Sequence, residues 1–222
     1  MRLFKKYKMP TSEPTVSRGD PELIRAISDH VTSKIGPIDQ VLHDKDSRAV
    51  HVDIHHVAPT EDQPFHILVT SGMSELPMNV PKEEKGFPAA ELMAFLPPEA
   101  DWQKHWMVDQ LRFLARVPHI LHSFFAPGHT IPNLNPPRPY SAHTKLMCMM
   151  FLPAGPLLKD EKAAVYIHPH VGAGMILQCV PIYEREMTFS IAHGTPALTH
   201  WLADNVGVPN FYVVHDDRKG ME

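Results

Sequence analysis

With 222 residues, of which 43% are hydrophobic and 21% charged, the chain is long enough to close a substantial core as a single domain. A formal net charge of −4 gives no global basic field, which excludes nucleic-acid binding driven by phosphate contacts. No stretch approaches the ~18 consecutive apolar residues of a membrane span, and Met1 to Pro10 lacks the apolar core of an export signal, so a cytoplasmic protein that does not engage a membrane is expected.

Residues 1–18 are polar, carry the basic cluster Arg2, Lys5, Lys6 and Lys8, and read as a flexible tail. Asp20-Pro21 is a helix cap followed by proline at the first helical position, and Leu23, Ile24, Ile27, Val31 and Ile35 recur at helical spacing up to Gly36. Ile38 to His43 and Ala49 to Val57 read as strands around an Asp44-Lys45-Asp46-Ser47 turn. Phe65 to Thr70 is the next strand, paired antiparallel with Val50 to Val57 across the short link Ala58 to Pro64. Ala89 to Leu96 sits between Pro88 and Pro97-Pro98, too short a space for a typical helix, and reads as a fourth strand.

Gln103 to Val117 turns helical, with Met107, Leu111 and Leu114 on one side, until Pro118 ends or kinks it; His119 to Phe125 forms a short second helix. After the proline-rich loop come strands at Leu146 to Leu152, Val165 to His168 and Met175 to Tyr183. A last helix runs from Thr195 to Gly207, Asn210 to Val214 adds a strand, and 216–222 is a C-terminal tail. No strand–helix–strand alternation with a glycine-rich turn appears, which disfavours a dinucleotide fold. The expected fold is α+β: one domain over 19–215, a mainly antiparallel sheet with helices packed against it.

Cys148 and Cys179 lie in apolar runs without CxxC spacing and read as buried, reduced thiols. Alternation places His51, Asp53 and His55 on one face of a strand, a credible ligand set that lacks any recognised metal-site spacing. Neither this trio nor the pairs His119/His122 and His168/His170 is assigned a metal, and no cofactor is expected; a metal-assisted hydrolase on the His51, Asp53 and His55 face stands as the alternative function. Ser71-Gly72-Met73-Ser74 is not a GxSxG nucleophile turn and reads as the end of a strand. In Pro127-Gly128-His129-Thr130-Ile131-Pro132-Asn133, prolines stiffen a loop whose polar groups suit recognition, or a connector stitched down by its own side chains.

Leu68 to Met78 (LVTSGMSELPM) resembles the signature of the suppressor of fused domain family. His51-Val52-Asp53-Ile54, Ala90-Glu91-Leu92-Met93 through Leu96-Pro97, Pro127 to Asn133, and Pro181-Ile182-Tyr183 with Glu186-Met187 match in the same order. The resemblance implies a protein-binding role without catalytic residues. Animal members restrain Gli transcription factors in Hedgehog signalling by clasping an extended peptide through strand addition, while stand-alone bacterial members look like immunity proteins of polymorphic toxin systems. The chain ends soon after Tyr183-Glu184 and one more helix, and so resembles the stand-alone form. The implied partner is a protein or extended peptide, such as a toxin domain. Its expected site is Ser71, Gly72, Met73, Ser74 and Glu75 converging with Gly128, His129, Thr130 and Asn133.

Overall fold

Asp20 starts the first helix, α1 (Pro21–Lys34), by accepting from the Glu22 and Leu23 amides at 2.9 and 3.3 Å, and the apolar stripe Leu23, Ile27 and Val31 is buried. The structure is a computed structural model describing residues 17–45, 47–84 and 86–221. The expected flexible tail with its basic cluster therefore falls mostly outside the described residues, as does Asp46 of the first turn.

Eight strands form one sheet: β1 (Ile38–Leu42), β2 (Asp53–Val57), β3 (His66–Ser71), β4 (Ala90–Leu96), β5 (Thr130–Pro132), β6 (Cys148–Pro153), β7 (Val165–Tyr166) and β8 (Gly174–Ile182). The order is β1-β2-β3-β4-β8-β6-β5, with β7 pairing β8. β2 and β3 are antiparallel neighbours from Asp53↔Ser71 to Val57↔Ile67, as the sequence predicts. One pairing is parallel, β4 with β8, and it spans Ala90↔Met175 to Met93↔Gln178. Beyond it, residues 212–214 take the place beside β4: the Val214 amide donates to Phe95 O at 2.9 Å, and Gln178 Nε2 donates to Tyr212 O at 3.1 Å.

Helix α2 (Trp106–Leu121) covers one face, where Met107, Leu111 and Leu114 pack with Ile54, Leu68, Leu92, Phe151 and Cys179. On the other face α1 packs with Ile67, Val69, Met93, Phe95 and Ile176. Two further helices follow β8, α3 (Glu184–His193) and α4 (Thr195–Asn205), and Leu198 and Leu202 of α4 pack with Cys148, Met150, Val180 and Ile182. The alternation of Leu68 against Ile67 and Val69 is the period of two that divides a central strand between two cores. The architecture is α+β with helices on both faces.

Several elements differ from expectation. Pro118 does not end α2, because it sits in the last turn, where the missing amide forfeits a single helical bond. The helix closes at His122 (φ 46°), and the Ser123 amide donates to Pro118 O at 2.9 Å, so there is no separate helix from His119 to Phe125. Asn210 to Val214 is turn rather than strand, with one bridge to Phe95. Residues 216–221 are built into the domain: Trp106 Nε1 donates to Asp216 at 2.8 Å, and buried Arg218 reaches both oxygens of buried Glu186 at 2.8 and 2.5 Å. Cys148 and Cys179 are free and buried; Cys148 pairs across from Ile182 and Cys179 from Phe151, so they face opposite cores. Burial pushes both thiols up, Cys148 to about 12. Among the described residues no helix is long and apolar enough to cross a membrane.

Candidate functional site

β3 leaves the sheet at Ser71 into Gly72, whose φ of +121° suits only glycine; a Cβ there would lie 1.8 Å from His51 O. The next turn folds around one side chain. Glu91, fully buried at the start of β4, accepts from Thr70 Oγ1 (2.6 Å), the amides of Gly72 (3.1 Å), Met73 (3.2 Å) and Ser74 (3.0 Å), and Ser74 Oγ (2.6 Å). Burial pushes the Glu91 pKa up and these donors oppose it. Ser71, Gly72, Met73 and Ser74 are thus the buried base of the turn rather than its surface. Their polar groups are occupied internally, Ser71 Oγ excepted, which is buried without a partner.

Glu75, half-buried, is held by Ser17, whose hydroxyl lies 2.6 and 2.7 Å from its two oxygens. A neighbouring loop locks onto the same turn. His168 Nε2 donates to Ser74 O at 3.0 Å while its Nδ1 accepts the amides of His170 and Val171 at 3.1 and 3.3 Å, an arrangement that fixes a neutral imidazole with hydrogen on Nε2. His170 in turn reaches the α1 cap, Asp20, at 2.5 Å and holds its carboxyl below the usual range. His119 Nε2 donates to Met73 O at 2.8 Å. On this rigid base three apolar side chains face solvent: Leu76 (44% exposed), Val171 (47%) and Ile167 (82%).

The second expected loop lies at the same end of the sheet but four strand spacings away, ~19 Å at ~4.8 Å each. Its Gly128 amide donates to Phe151 O at 2.7 Å, the Phe151 amide donates to His129 O at 2.9 Å, and Thr130 pairs with Met150 as the start of β5, an edge strand the sequence did not announce. Asn133 lies at the far end of β5, where its Nδ2 donates to Arg138 O (2.8 Å) and Pro139 O (3.4 Å) of its own loop. Direct convergence of the two loops is not what the geometry displays; residues 124 and 125 bridge them. The Phe125 amide meets Met78 Sδ at 3.4 Å, and the Phe124 ring packs edge-on to His129 with centroids 5.0 Å apart.

His51, Asp53 and His55 do share a strand region, yet Asp53 is already engaged. It accepts from the Asp44 amide (2.9 Å) and lies 3.1 Å from His43 Nδ1 and 3.0 Å from His51 Nε2. His55 is buried, and burial drives its pKa down to about 4. Among the described residues no group of three or more His, Cys, Asp or Glu is placed to hold a metal. The metal-assisted reading has no geometric support.

Sequence reasoning missed Glu91 and the Ile167–Val171 loop as parts of this site. Glu91 had a signal, a lone carboxylate inside the apolar strand Ala90–Leu96; the loop had only an exposed isoleucine beside His168 and no period to single it out.

Residues 48–211 match the family profile of Suppressor of fused protein (SUFU). A SUFU homolog from Neisseria gonorrhoeae FA 1090 superposes with a TM-score of 0.61 at 16% identity, covering 90% of this chain and 96% of that one. A chain of a Sufu–Fu complex gives 0.64 at 14%, covering 93% and 92%. Drosophila Suppressor of Fused gives 0.60 at 15%, covering 90% of this chain and 53% of its own. Comparison with curated proteins gives no match. With three quarters of its length inside the matched region, the chain belongs to the suppressor of fused family.

Proposed function

We propose that this chain is a non-catalytic protein-binding module of the cytoplasm, and that it neutralises a cognate toxin as an immunity protein. The observation that carries the binding surface is Ile167, 82% exposed between the β7–β8 pairing that ends at Tyr166 and the anchors that follow it, His168 to Ser74 and His170 to Asp20. A large apolar side chain held rigidly in water forfeits burial that a partner could supply, ~2 kcal/mol for such a side chain, and loses little entropy on docking. Leu76 and Val171 are also exposed; they lie on the two segments that the His168–Ser74 bond joins, as do the polar Glu75 and His170. This reading narrows the binding residues of the first turn to its outer part, Glu75 onward, with Ser71 to Ser74 as support. On the second loop, Gly128, His129 and Thr130 are the part that faces the same end. The toxin rests on the resemblance to stand-alone members; a Sufu–Fu complex is the relative that pairs with a protein.

The test is co-expression with each candidate polymorphic toxin from the source genome, scoring cell growth with wild type and with Ile167→Glu. Protection lost in a folded Ile167→Glu supports the reading. Equal protection would remove the surface, and no protection by wild type would remove the immunity role.

A second reading has one observation in its favour. Ser47 Oγ lies 2.8 Å from His51 Nδ1, and His51 Nε2 lies 3.0 Å from Asp53, the connectivity of a hydroxyl, a base and a carboxylate. The binding reading is preferred because Asp53 and Ser47 also hold the 43–52 loop itself, through the Asp44 amide, His43, and a bond from the Ser17 amide to Ser47 O. Covalent labelling of Ser47 by a fluorophosphonate would reverse that preference.

A further inference from the structure

A second polar chain crosses the sheet away from this site. His56 of β2 is buried, its ring stacked on Trp102 at 3.8 Å and 11°. Its Nδ1 lies 3.2 Å from Asp39 Oδ2 of β1 and its Nε2 2.8 Å from His66 Nδ1 of β3; His66 Nε2 lies 3.2 Å from Pro98 O. The series Asp39, His56, His66, Pro98 O has three contacts, and each needs one hydrogen. An ionised carboxylate and a carbonyl supply none. Two neutral imidazoles carry two N–H groups, so one contact stays without a hydrogen. One imidazolium makes three and fills the chain. Two imidazoliums would set two N–H groups against each other at 2.8 Å.

We propose that His56 and His66 take up one shared proton, and that this proton closes Asp39 of the edge strand β1 onto β2, β3 and the segment after β4. Without the proton the chain opens at one of its ends, both of which reach solvent, Asp39 with a side chain 49% exposed and Pro98 as an exposed residue. Asp39 is also the residue at which β1 slips register against β2, between Ile38 and Gln40, so it is the part of the edge that the ladder holds least. The groups facing His56 are Asp39 from β1, His66 from β3, and the Pro98 carbonyl and Trp102 from the segment after β4. That segment's charged side chains, Glu99, Asp101 and Lys104, belong to exposed residues, and the last two pair with each other at 2.7 Å. Burial and the second ring hold His56 below its ordinary value, against the pull of Asp39.

Nitrogen-15 NMR of the histidine rings from pH 8 to pH 4 tests this. The expected result is that His56 and His66 respond together with one midpoint below 6.5 and a total of one proton. Asp39→Asn, at the half-exposed end, lowers that midpoint by about 1 pH unit, the size expected for removing one nearby opposite charge. Two separate midpoints that sum to two protons, no uptake before acid unfolding, or an Asp39→Asn midpoint equal to wild type would overturn the proposal.

Discussion

Replacing Glu91 with glutamine exchanges one carboxylate oxygen for an amide NH2 in a site where both oxygens only accept. The least costly placement puts the NH2 at Oε2, which receives Thr70 Oγ1 and the Met73 amide. Thr70 can adapt, since its hydroxyl can turn from donor to acceptor while still receiving the Leu92 amide at 2.7 Å. The Met73 amide cannot, and a buried N–H left without an acceptor costs ~1–3 kcal/mol. The remaining bonds, from Gly72 N, Ser74 N and Ser74 Oγ, lose their charged acceptor, and such bonds are worth ~0.5–1 kcal/mol more than neutral ones. The sum is roughly 4 kcal/mol, a large part of the ~5–15 kcal/mol that holds a domain together. Urea unfolding should show the midpoint falling by about 1.5 M with the slope unchanged, at ~2–3 kcal/mol per M. Native-state hydrogen exchange should quicken first at Met73. A loss below about 0.5 kcal/mol would refute the reasoning, for it would mean that Glu91 is already uncharged and that burial, not the five donors, decides its state.

Three more perturbations follow from the same geometry. His55, neutral in the fold down to about pH 4 but protonated near 6.5 when unfolded, makes the unfolded chain bind more protons, so its contribution is complete above pH 6.5 and is lost as pH falls through 4; that loss amounts to roughly 3 kcal/mol, read by urea unfolding at pH 7, 5.5 and 4, and a His55→Gln variant should show a shallower dependence. Asn133→Ala should cost ~1–2 kcal/mol in the same assay, because its amide staples Arg138 O and Pro139 O; a neutral effect would return Asn133 to the list of residues free to meet a partner. Gly174→Ala should cost ~3 kcal/mol or more, since the added carbon would meet the buried Tyr166 ring at 2.2 Å, and a melting temperature equal to wild type would contradict that packing.

The parts of this fold that could be read in advance are those where a local rule and the tertiary structure agree. Asp20-Pro21 announces α1 because capping and proline geometry are local, and the β2–β3 pair follows from two β-branched runs and a short link. Helix α3 escaped because its buried residues are Glu186 and Ser190 rather than an apolar stripe; it is anchored by the Glu186–Arg218 pair, whose partner is 32 residues away. β5 escaped because Pro132 is one of its three residues and Pro127 shortly precedes it, and the segment becomes a strand only through β6. The motif residues Ser71 to Ser74 stood out in the sequence, but their role did not: a buried carboxylate 17 residues on from Ser74 turns a conspicuous surface turn into a core feature. Nothing local distinguishes an isoleucine that ends a strand from one that is held in water, and so Ile167 could be seen only in three dimensions.

The central claim is that a partner docks on the Leu76, Ile167 and Val171 face. Its most direct test is a photo-cross-linking amino acid at position 167, compared with one at Phe113, an exposed site on α2, with both variants shown to be folded and expressed alongside the proposed toxin partner. The account predicts a one-to-one adduct with the toxin from position 167 and none from 113. An adduct from 113 alone, or none from 167 while wild type still protects, would contradict it.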